Sequence, residues 1–331
     1  MLQGPVALVS GHGNRCLAAS GRIDLAMTTE TCAQGRAPEV LALDPELLLA
    51  WFDANVRDLP WRRPECTPWG VLASEVMLQQ TPVARVEPVW REWMARWPRP
   101  SALAAASQAE VVRAWGKLGY PRRALRLHAA ATAIAEKHGD VVPADVDTLL
   151  ALPGIGAYTA RAVAAFAYGR RCPVVDTNVR RVVARAVQGA GDAGPPATNR
   201  DLADVQALLP AEENRAARYS AALMELGQVV CTARSPRCAD CPVVDRCAWH
   251  RAGRPAYQGP TRPTQKFAGT DRQVRGLLLD VLRGSSGPVE RPALDAVWAD
   301  AGQRDRCLDS LLVDGLIEQT DDGRFALPGE G

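Results

Sequence analysis

The sequence predicts an all-α protein, and three observations lead to that prediction. Apolar residues recur with the helical period of about 3.6 residues from Pro45 to about Val230. No run of alternating polar and apolar residues, the pattern of a half-buried strand, precedes residue 310. The segments between the periodic stretches are short and carry glycine and proline, which favour turns. We therefore expect a core of helices joined by short loops.

The first helix is predicted to begin at Pro45. Asp44 is a favourable N-cap residue, and proline is common at the first helical position. A second helix is predicted over 69–80 and a third over 83–97, separated near Thr81-Pro82. Periodicity predicts further helices at 108–116, 121–138, 145–151, 157–168, 178–188, 199–208 and 212–230.

The two ends of the chain differ from this core. Residues 1–42 show no periodicity and are predicted to be a disordered leader, and residues 251–268 are predicted to be a linker. Helices are then expected at 271–283, 292–300 and 303–315, followed by two short strands around Asp321-Asp322-Gly323, a hairpin signal. Three helices and a hairpin predict a small winged-helix-like unit over 269–331.

Composition excludes some classes of protein. None of the 331 residues belongs to an apolar run long enough to cross a bilayer. Residues 1–20 lack the basic start and apolar stretch of a signal peptide. We expect a cytoplasmic protein that makes no contact with a membrane.

The net charge of +2 hides an uneven distribution of charge. Residues 111–135 contain five Lys or Arg and no acid, and residues 153–190 contain six Arg and one acid. Residues 268–331 reverse the balance, with seven Arg against twelve acids. A basic middle favours a polyanionic partner, although arginine-rich helices are also often solvated faces.

Four cysteines, Cys231, Cys238, Cys241 and Cys247, have the spacing C-x6-C-x2-C-x5-C. Four thiolates on one short segment are typical of a metal site. The spacing favours an iron–sulfur cluster, but a structural zinc ion also accepts four thiolates. Disulfides are disfavoured because nothing in the sequence indicates secretion.

The segment Leu-Pro-Gly-Ile-Gly at 152–156 indicates a tight turn before a helix. The backbone N–H groups of Gly154, Gly156 and the following helix start can hold a phosphate. The segment is therefore typical of a helix-hairpin-helix motif that binds DNA. A plain corner between two helices is the alternative.

Two acidic residues stand in contexts that suit acid–base chemistry. Glu75 lies in an apolar helix, where burial would raise its pKa, although a surface position is the alternative. Asp176 lies between an apolar stretch and an arginine-rich helix, where a catalytic carboxylate and a helix N-cap are both plausible. Gln79 and Gln80 follow Glu75, and glutamine can contact base edges in the minor groove.

Together these segments resemble the MutY-type adenine DNA glycosylases of the endonuclease III, or helix-hairpin-helix, superfamily. The resemblance covers residues 43–250. Its matching pieces are Leu-Pro-Trp-Arg at 59–62, Ser-Glu-Val-Met-Leu-Gln-Gln-Thr at 74–81, Gly-Lys-Leu-Gly-Tyr at 116–120, Leu-Pro-Gly-Ile-Gly at 152–156, Val-Asp-Thr-Asn-Val at 175–179, Met-Glu-Leu-Gly at 224–227 and the four cysteines.

The resemblance implies a core of two helical subdomains. A six-helix subdomain would occupy about 70–178 and include the helix-hairpin-helix at 152–160. The second would combine 43–69 with 179–250 and hold a [4Fe-4S] cluster on Cys231, Cys238, Cys241 and Cys247. The partner would be double-stranded DNA carrying a mismatched adenine, bound by a monomer.

The resemblance also implies a mechanism and its residues. Glu75 would protonate adenine as it leaves, and Asp176 would stabilise or trap the positively charged sugar. Tyr158 stands where members with lyase activity carry lysine, so a monofunctional glycosylase is implied. The base pocket and DNA contacts would be formed by Leu59, Trp61, Arg62, Gln79, Gln80, Tyr120, Gly154, Gly156, Asn178 and Glu225.

Two departures from the family pattern stand out. Pro121 follows Tyr120 where the family often has a second tyrosine, and the family's larger C-terminal domain, which recognises 8-oxoguanine, has no visible counterpart. Two alternatives stay open at this point: a thymine glycosylase acting on G·T mismatches, and a non-catalytic iron–sulfur protein that binds DNA.

Overall fold

The structure is a computed structural model that describes residues 42–260 and 267–331. The predicted leader lies almost entirely outside the described residues, as does the central part of the predicted linker. In chain order the described helices are α1 (Pro45–Asn55), α2 (Pro68–Leu78), α3 (Val83–Arg96), α4 (Pro100–Ala104), α5 (Gln108–Trp115), α6 (Arg122–Lys137), α7 (Val146–Leu150), α8 (Ala157–Tyr168), α9 (Thr177–Ala186), α10 (Thr198–Leu208), α11 (Glu213–Val229), α12 (Ala248–Arg251), α13 (Asp271–Gly284), α14 (Arg291–Asp295) and α15 (Ala301–Val313).

Most of these helices lie where the sequence predicted them. Helix α1 begins at Pro45, and the Asp44 carboxylate accepts hydrogen bonds from the Glu46 and Leu47 N–H groups at 2.8 and 3.3 Å. Two short helices, α4 and α12, were not predicted, because a single turn shows too little periodicity to detect. Helix α14 ends at Asp295, five residues before its predicted end.

Helices α2, α3, α5, α6 and α8 share one hydrophobic core, which we call the first core. It is built around tryptophans that meet edge to face; the ring centroids of Trp93 and Trp97 are 4.8 Å apart, and those of Trp93 and Trp115 are 5.6 Å apart. Indole N–H groups bond to backbone carbonyls within the fold, since Trp93 donates to the Ala114 carbonyl and Trp115 to the Gly119 carbonyl.

Helices α1, α9, α10 and α11 form a second core. At its centre the Tyr219 hydroxyl donates to the Leu43 carbonyl over 2.7 Å. The cysteine loop packs on this core through Val243. Leu59 and Trp61, which we expected with the second subdomain, place their side chains in the first core. The connection between α1 and α2 therefore passes from one core to the other.

The residues after the linker form a small unit with its own buried cluster. Helices α13, α14 and α15 are followed by an antiparallel pair of strands, β1 (Glu318–Gln319) and β2 (Phe325–Ala326). Val289 pairs with Phe325 on the other side of β2. This order of elements is the one predicted for a winged-helix-like unit.

The C-terminal unit is docked on helix α5 of the first core. Ala109 and Val112 of α5 belong to the same buried cluster as Leu278 and Leu308, and we call this group the C-terminal cluster. The Arg283 guanidinium adds a hydrogen bond to the Val112 carbonyl at 3.1 Å.

Ion pairs surround this apolar contact. Lys117 pairs with Asp280 at 3.4 Å and Arg122 pairs with Asp314 at 3.0 Å. Arg113 pairs with Glu330. Three of the five cations in the basic stretch 111–135 are thus neutralised by acids of the C-terminal unit. The basic and acidic halves of the uneven charge distribution face each other within the chain.

No helix among the described residues is both long and apolar enough to cross a membrane.

Leu278→Ala is expected to loosen the C-terminal unit. Leu278 is fully buried in the C-terminal cluster, and removing such a side chain typically costs about 2–5 kcal/mol. Amide hydrogen exchange along α13 should accelerate accordingly. Val313→Ala is the matched control, because Val313 is 87% exposed and a surface change of this kind is usually worth less than about 0.5 kcal/mol. Equal exchange in the two variants would contradict the assigned packing.

Candidate active site

A cleft of about 1560 Å³ opens between the two cores. All but two of the residues predicted for catalysis, base binding and DNA contact line it; Tyr120 and Glu225 lie outside the lining. Those in the lining are Leu59, Trp61, Arg62, Glu75, Gln79, Gln80, Gly154, Gly156, Tyr158, Asp176 and Asn178. The fold therefore brings residues that are far apart in the sequence to the same cleft; Leu59 and Val175, for example, are 116 positions apart.

Glu75 lies at the base of the cleft and is 7% exposed, so it is no surface residue. Burial raises the pKa of its carboxyl group to about 7. The negative charge of Asp176 acts in the same direction, while a hydrogen bond from Tyr158 and the charge of Arg62 act against it. Glu75 therefore holds a proton close to neutral pH.

Tyr158 lies near both acids and is hydrogen-bonded to Glu75. It lies in the first turn of α8, and its hydroxyl is hydrogen-bonded to the Glu75 carboxyl group. Burial, followed by the charges of Glu75 and Asp176, raises the pKa of Tyr158 well above its ordinary value. The phenol stays neutral and acts as a donor.

Asp176 is both the N-cap of α9 and part of the cleft wall. Its Oδ1 accepts from the Val179 N–H at 2.7 Å, and its Oδ2 accepts from the Asn178 side-chain amide at 2.8 Å. Burial raises the pKa of Asp176, whereas these hydrogen bonds and the charge of Arg181 favour the ionised form. Asp176 therefore caps α9 and also lines the cleft, so the two interpretations of this residue do not exclude each other.

Glu225 is buried on α11 behind the cleft wall rather than within it. Its carboxylate accepts from the Arg57 guanidinium at 2.5 and 2.8 Å and from Arg62 at 2.9 Å. Burial alone would raise the pKa of Glu225, but the two arginines hold it below its ordinary value. Glu225 therefore fixes the position of Arg62, whose Nη1 atom is buried without a hydrogen-bond partner among the described residues.

Arg57 was missed by the sequence analysis, although a signal was present. A glutamate in the apolar helix α11 needs a cationic partner, because an unpaired buried charge is costly. Arg57 lies only two residues before the Leu-Pro-Trp-Arg motif that begins at Leu59.

The glycine hairpin joins α7 to α8 as a helix-hairpin-helix. Gly154 has φ +73°, and a Cβ there would lie 2.6 Å from the Arg126 side chain, so only glycine fits. Gly156 is the N-cap of α8, and no side chain caps this helix end. Residues of the first turn of α8 line the cleft, and the first N–H groups of a helix lack partners within the helix, so they can bind an anion.

The four predicted metal-ligand cysteines are half-buried, and none forms a disulfide. Burial raises the pKa of Cys241 to about 11, and the charges of Cys231, Cys247 and Cys238 act in the same direction. The four thiols are therefore close enough to influence one another. Their deprotonated forms need a positively charged group between them, which suits the four-thiolate donor set of an iron–sulfur cluster.

Arg185 lies against this cysteine loop. Its guanidinium is within 3.5 Å of the Cys231 sulfur, donates to the Thr232 and Ala233 carbonyls at 2.7 and 3.0 Å, and lies 4.7 Å from the centre of the Trp249 ring. Within the described residues, no three His, Cys, Asp or Glu side chains are grouped as they would be around a single metal ion. A four-iron cluster is larger and holds its ligands further apart.

Comparison with known proteins identifies the family of the helical core and of the cysteine loop. Residues 73–206 match the model of the HhH-GPD superfamily base excision DNA repair proteins, and residues 231–247 match the iron–sulfur binding domain of endonuclease III. The second match begins at Cys231 and ends at Cys247. The chain therefore carries the [4Fe-4S] cluster of these glycosylases, and zinc is no longer needed as an alternative.

Two mycobacterial relatives are similar over nearly their whole length. The adenine DNA glycosylase of Mycolicibacterium smegmatis is 65% identical over 292 residues, 88% of this chain and 98% of that protein. The adenine DNA glycosylase of Mycobacterium tuberculosis is 63% identical over 285 residues, 86% of this chain and 93% of that protein.

Among solved structures, a thermostable thymine-DNA glycosylase matches with a TM-score of 0.57. The two chains are 24% identical, and the match covers 63% of this chain and 95% of the other. At this identity the likeness concerns the fold alone. It confirms the predicted helical fold and gives no support to thymine as the substrate.

Glu75→Gln is expected to change how stability depends on pH. The native state retains a proton that the unfolded chain releases, so stability should fall as pH rises from about 4.5 to about 7. Glutamine has no proton to release in this range. The free energy of unfolding of the variant, relative to that of the wild type, should therefore be a few kcal/mol higher at pH 8 than at pH 4.5, at about 1.4 kcal/mol per unit of pKa shift. Urea unfolding at the two pH values measures the gain.

Glu136→Gln, on the exposed face of α6, is the control for loss of a carboxylate. An identical pH dependence in the wild type and Glu75→Gln would show that Glu75 is not buried in the protonated form.

Cys241→Ser is expected to lower the iron and acid-labile sulfide content of the purified protein sharply. The substitution removes one of four thiolates from the loop. Cys172→Ser is the matched control, because Cys172 is also half-buried but lies outside the loop. Equal iron content in both variants would contradict the assignment of Cys241 as a ligand.

Proposed function

The chain belongs to the adenine DNA glycosylases of the HhH-GPD superfamily of base excision repair proteins, and from that premise we propose which mispair it acts on and how. The substrate is adenine mispaired with 8-oxoguanine or guanine in double-stranded DNA, and the reaction is hydrolysis of the N-glycosidic bond without strand cleavage. The observation that carries the proposal is the presence of Glu75, Tyr158 and Asp176 together in one cleft.

Glu75 is the proposed general acid. The adenine nucleotide leaves the stacked duplex and enters the cleft, as in other enzymes that act on a base. The protonated Glu75 then donates to a ring nitrogen of adenine, so that the base departs as a neutral leaving group. A carboxyl group with a pKa of about 7 suits this duty because about half of it still carries a proton at neutral pH, whereas an ordinary glutamate is almost fully ionised there.

Asp176 is the proposed partner of the sugar. As the bond between C1′ and adenine breaks, positive charge develops on the sugar, and the carboxylate stabilises that charge or bonds to C1′. The Val179 N–H and the Asn178 amide keep its oxygens oriented. A water molecule then bonds to C1′, and where Asp176 has bonded to C1′ that bond breaks as Asp176 leaves as a carboxylate. The water gives up one proton to a carboxylate, leaving adenine and an abasic site.

Tyr158 supports a reaction without strand cleavage. A lyase needs an amine that attacks C1′ and forms a Schiff base. A phenol cannot do this, and no lysine is present among the described residues that line the cleft. Strand breaks are therefore expected only after alkali treatment of the abasic site.

Most of the other predicted residues line the cleft, which supports a part for them in recognition. Leu59 and Trp61 form an apolar part of the cleft wall for the extruded base, and Arg62 lines the same wall. Gly154 and Gly156 offer backbone N–H groups to a phosphate beside the exposed Arg126.

The four cysteines, Cys231, Cys238, Cys241 and Cys247, are the proposed ligands of the [4Fe-4S] cluster. When bound, the cluster supplies four metal–thiolate bonds that order the loop. The protein is proposed to act as a monomer. It is proposed to act in the cytoplasm because its substrate is the chromosomal DNA.

The first experiment is excision from end-labelled duplexes carrying A·8-oxoguanine, A·G, T·G or thymine glycol, with and without alkali. Adenine release that yields breaks only after alkali is the expected result. Glu75→Gln should slow excision by about 10²–10⁴-fold, the usual contribution of a general acid, and Glu136→Gln should not slow it. The single-turnover rate of the wild type should fall as pH rises through about 7, because Glu75 loses its proton.

Each alternative has its own signature in this assay. Release of thymine would assign the chain to a different substrate, and breaks without alkali would exclude a monofunctional enzyme. Full activity of Glu75→Gln would remove Glu75 from the mechanism. The ratio of rates for A·8-oxoguanine and A·G measures whether the C-terminal unit suffices for recognition of the oxidised base.

A further inference from the structure

Arg123 belongs to the basic stretch 111–135 but does not face solvent. It lies in the first turn of α6 and is only 6% exposed. Its Nη1 atom donates to three carbonyls at the end of α2: those of Val76 and Met77, each at 2.9 Å, and that of Gln79 at 2.7 Å. A cation at this place satisfies the last carbonyls of the helix that carries Glu75 and opposes the negative end of its dipole.

The other arm of the same guanidinium reaches a different segment. Its Nη2 atom donates to the Gly119 carbonyl at 2.9 Å, to the Leu118 carbonyl at 3.4 Å and to the Thr81 hydroxyl at 2.9 Å. The Thr81 hydroxyl donates onward to the Leu118 carbonyl at 3.1 Å. One planar group therefore ties the end of α2 to the 3-10 turn Gly116–Leu118 and the loop after it.

Both segments contain a backbone conformation that needs support. Gln80 has φ +56° and Tyr120 has φ +47°, and each directly follows a carbonyl that Arg123 holds. Residues other than glycine in this region cost about 1–3 kcal/mol and persist only where neighbouring groups enforce them. The guanidinium also lies 5.0 Å from the centre of the Trp115 ring and 5.6 Å from that of the Tyr120 ring.

We propose that Arg123 is a positioning residue that sets the separation and backbone conformation of two segments that contact DNA: Gln79–Gln80, which lines the cleft, and Gly119–Tyr120, which lies outside the lining. The proposal rests on the proposed function, because it assigns these segments to DNA. All six acceptors are uncharged oxygens in fixed positions. Only the flat, forked guanidinium can serve both segments at once.

Arg123→Lys tests this proposal because it keeps the charge but loses the fork. Arg171→Lys is the matched control: Arg171 also donates to helix-end carbonyls, those of Gln206, Leu209 and Pro210, but it does not line the cleft. Both variants should lose stability. Only Arg123→Lys should weaken binding of an A·8-oxoguanine duplex, raising KM by about tenfold while the single-turnover rate at saturating DNA stays within about threefold.

A merely structural role would give the same KM for both variants, and that result would overturn the proposal. The pH dependence of the single-turnover rate is a further readout, and it should keep its midpoint in Arg123→Lys because Glu75 is unchanged. If the wild type itself releases no adenine, the proposed function fails instead, and duplex affinity measured without turnover still tests Arg123.

A milder pair of variants covers the case in which Arg123→Lys does not fold. Thr81→Val removes one acceptor of the Arg123 guanidinium and the hydrogen bond onward to Leu118, whereas Thr81→Ser retains both. Thr81→Val should raise KM by about two- to fivefold and Thr81→Ser should restore it. Equal KM values for the two Thr81 variants would contradict the link between the segments.

Discussion

Glu75 lies on a helix whose residues from Trp69 to Met77 are all buried, so its carboxyl group has little access to water that could stabilise a negative charge. Much of the cleft follows from this constraint. Tyr158 must stay neutral to donate to it, and Asp176 must obtain its stabilisation from the N–H of Val179 and the amide of Asn178 rather than from solvent. The two acids differ because one faces apolar side chains and the other caps a helix.

Partly or fully buried arginines hold the elements around this site in place. Arg57 and Arg62 neutralise Glu225, while Arg123 and Arg185 donate to backbone carbonyls at the ends of helices and loops. Each guanidinium offers five donors in one plane, which suits carbonyls that converge from different segments.

The helices were predictable because local signals carry them, whereas most of the cleft residues were implied by the family resemblance. Asp44 before Pro45 marks a helix start, and the spacing of the four cysteines marks a metal loop. The burial of Glu75 and the dual position of Asp176 needed the fold, since the sequence admits both a surface and a buried site for each. The pairing of residues far apart in the sequence, such as Arg57 and Glu225, produces no periodic pattern in the sequence and could not be predicted from it.

Charge counts were the least informative signal. All six arginines of residues 153–190 have an internal partner; Arg170 pairs with Glu213, and Arg180 pairs with Asp201. The others, Arg161, Arg171, Arg181 and Arg185, donate to backbone carbonyls. A local excess of basic residues therefore reflects the pairing of arginines with carbonyls and carboxylates within the chain as much as the binding of a polyanion.

The acidic C-terminal unit also affects how the affinity for DNA depends on salt concentration. A protein that binds a duplex gains free energy when cations condensed on the phosphates return to bulk solution, and the gain scales with the number of phosphates that it neutralises. Arg113, Lys117 and Arg122 are already neutralised by Glu330, Asp280 and Asp314, so in this arrangement they displace no such ions. The affinity for DNA should therefore vary less steeply with ionic strength than the number of basic residues suggests. Contacts that depend on shape then retain a larger share of the binding energy in concentrated salt.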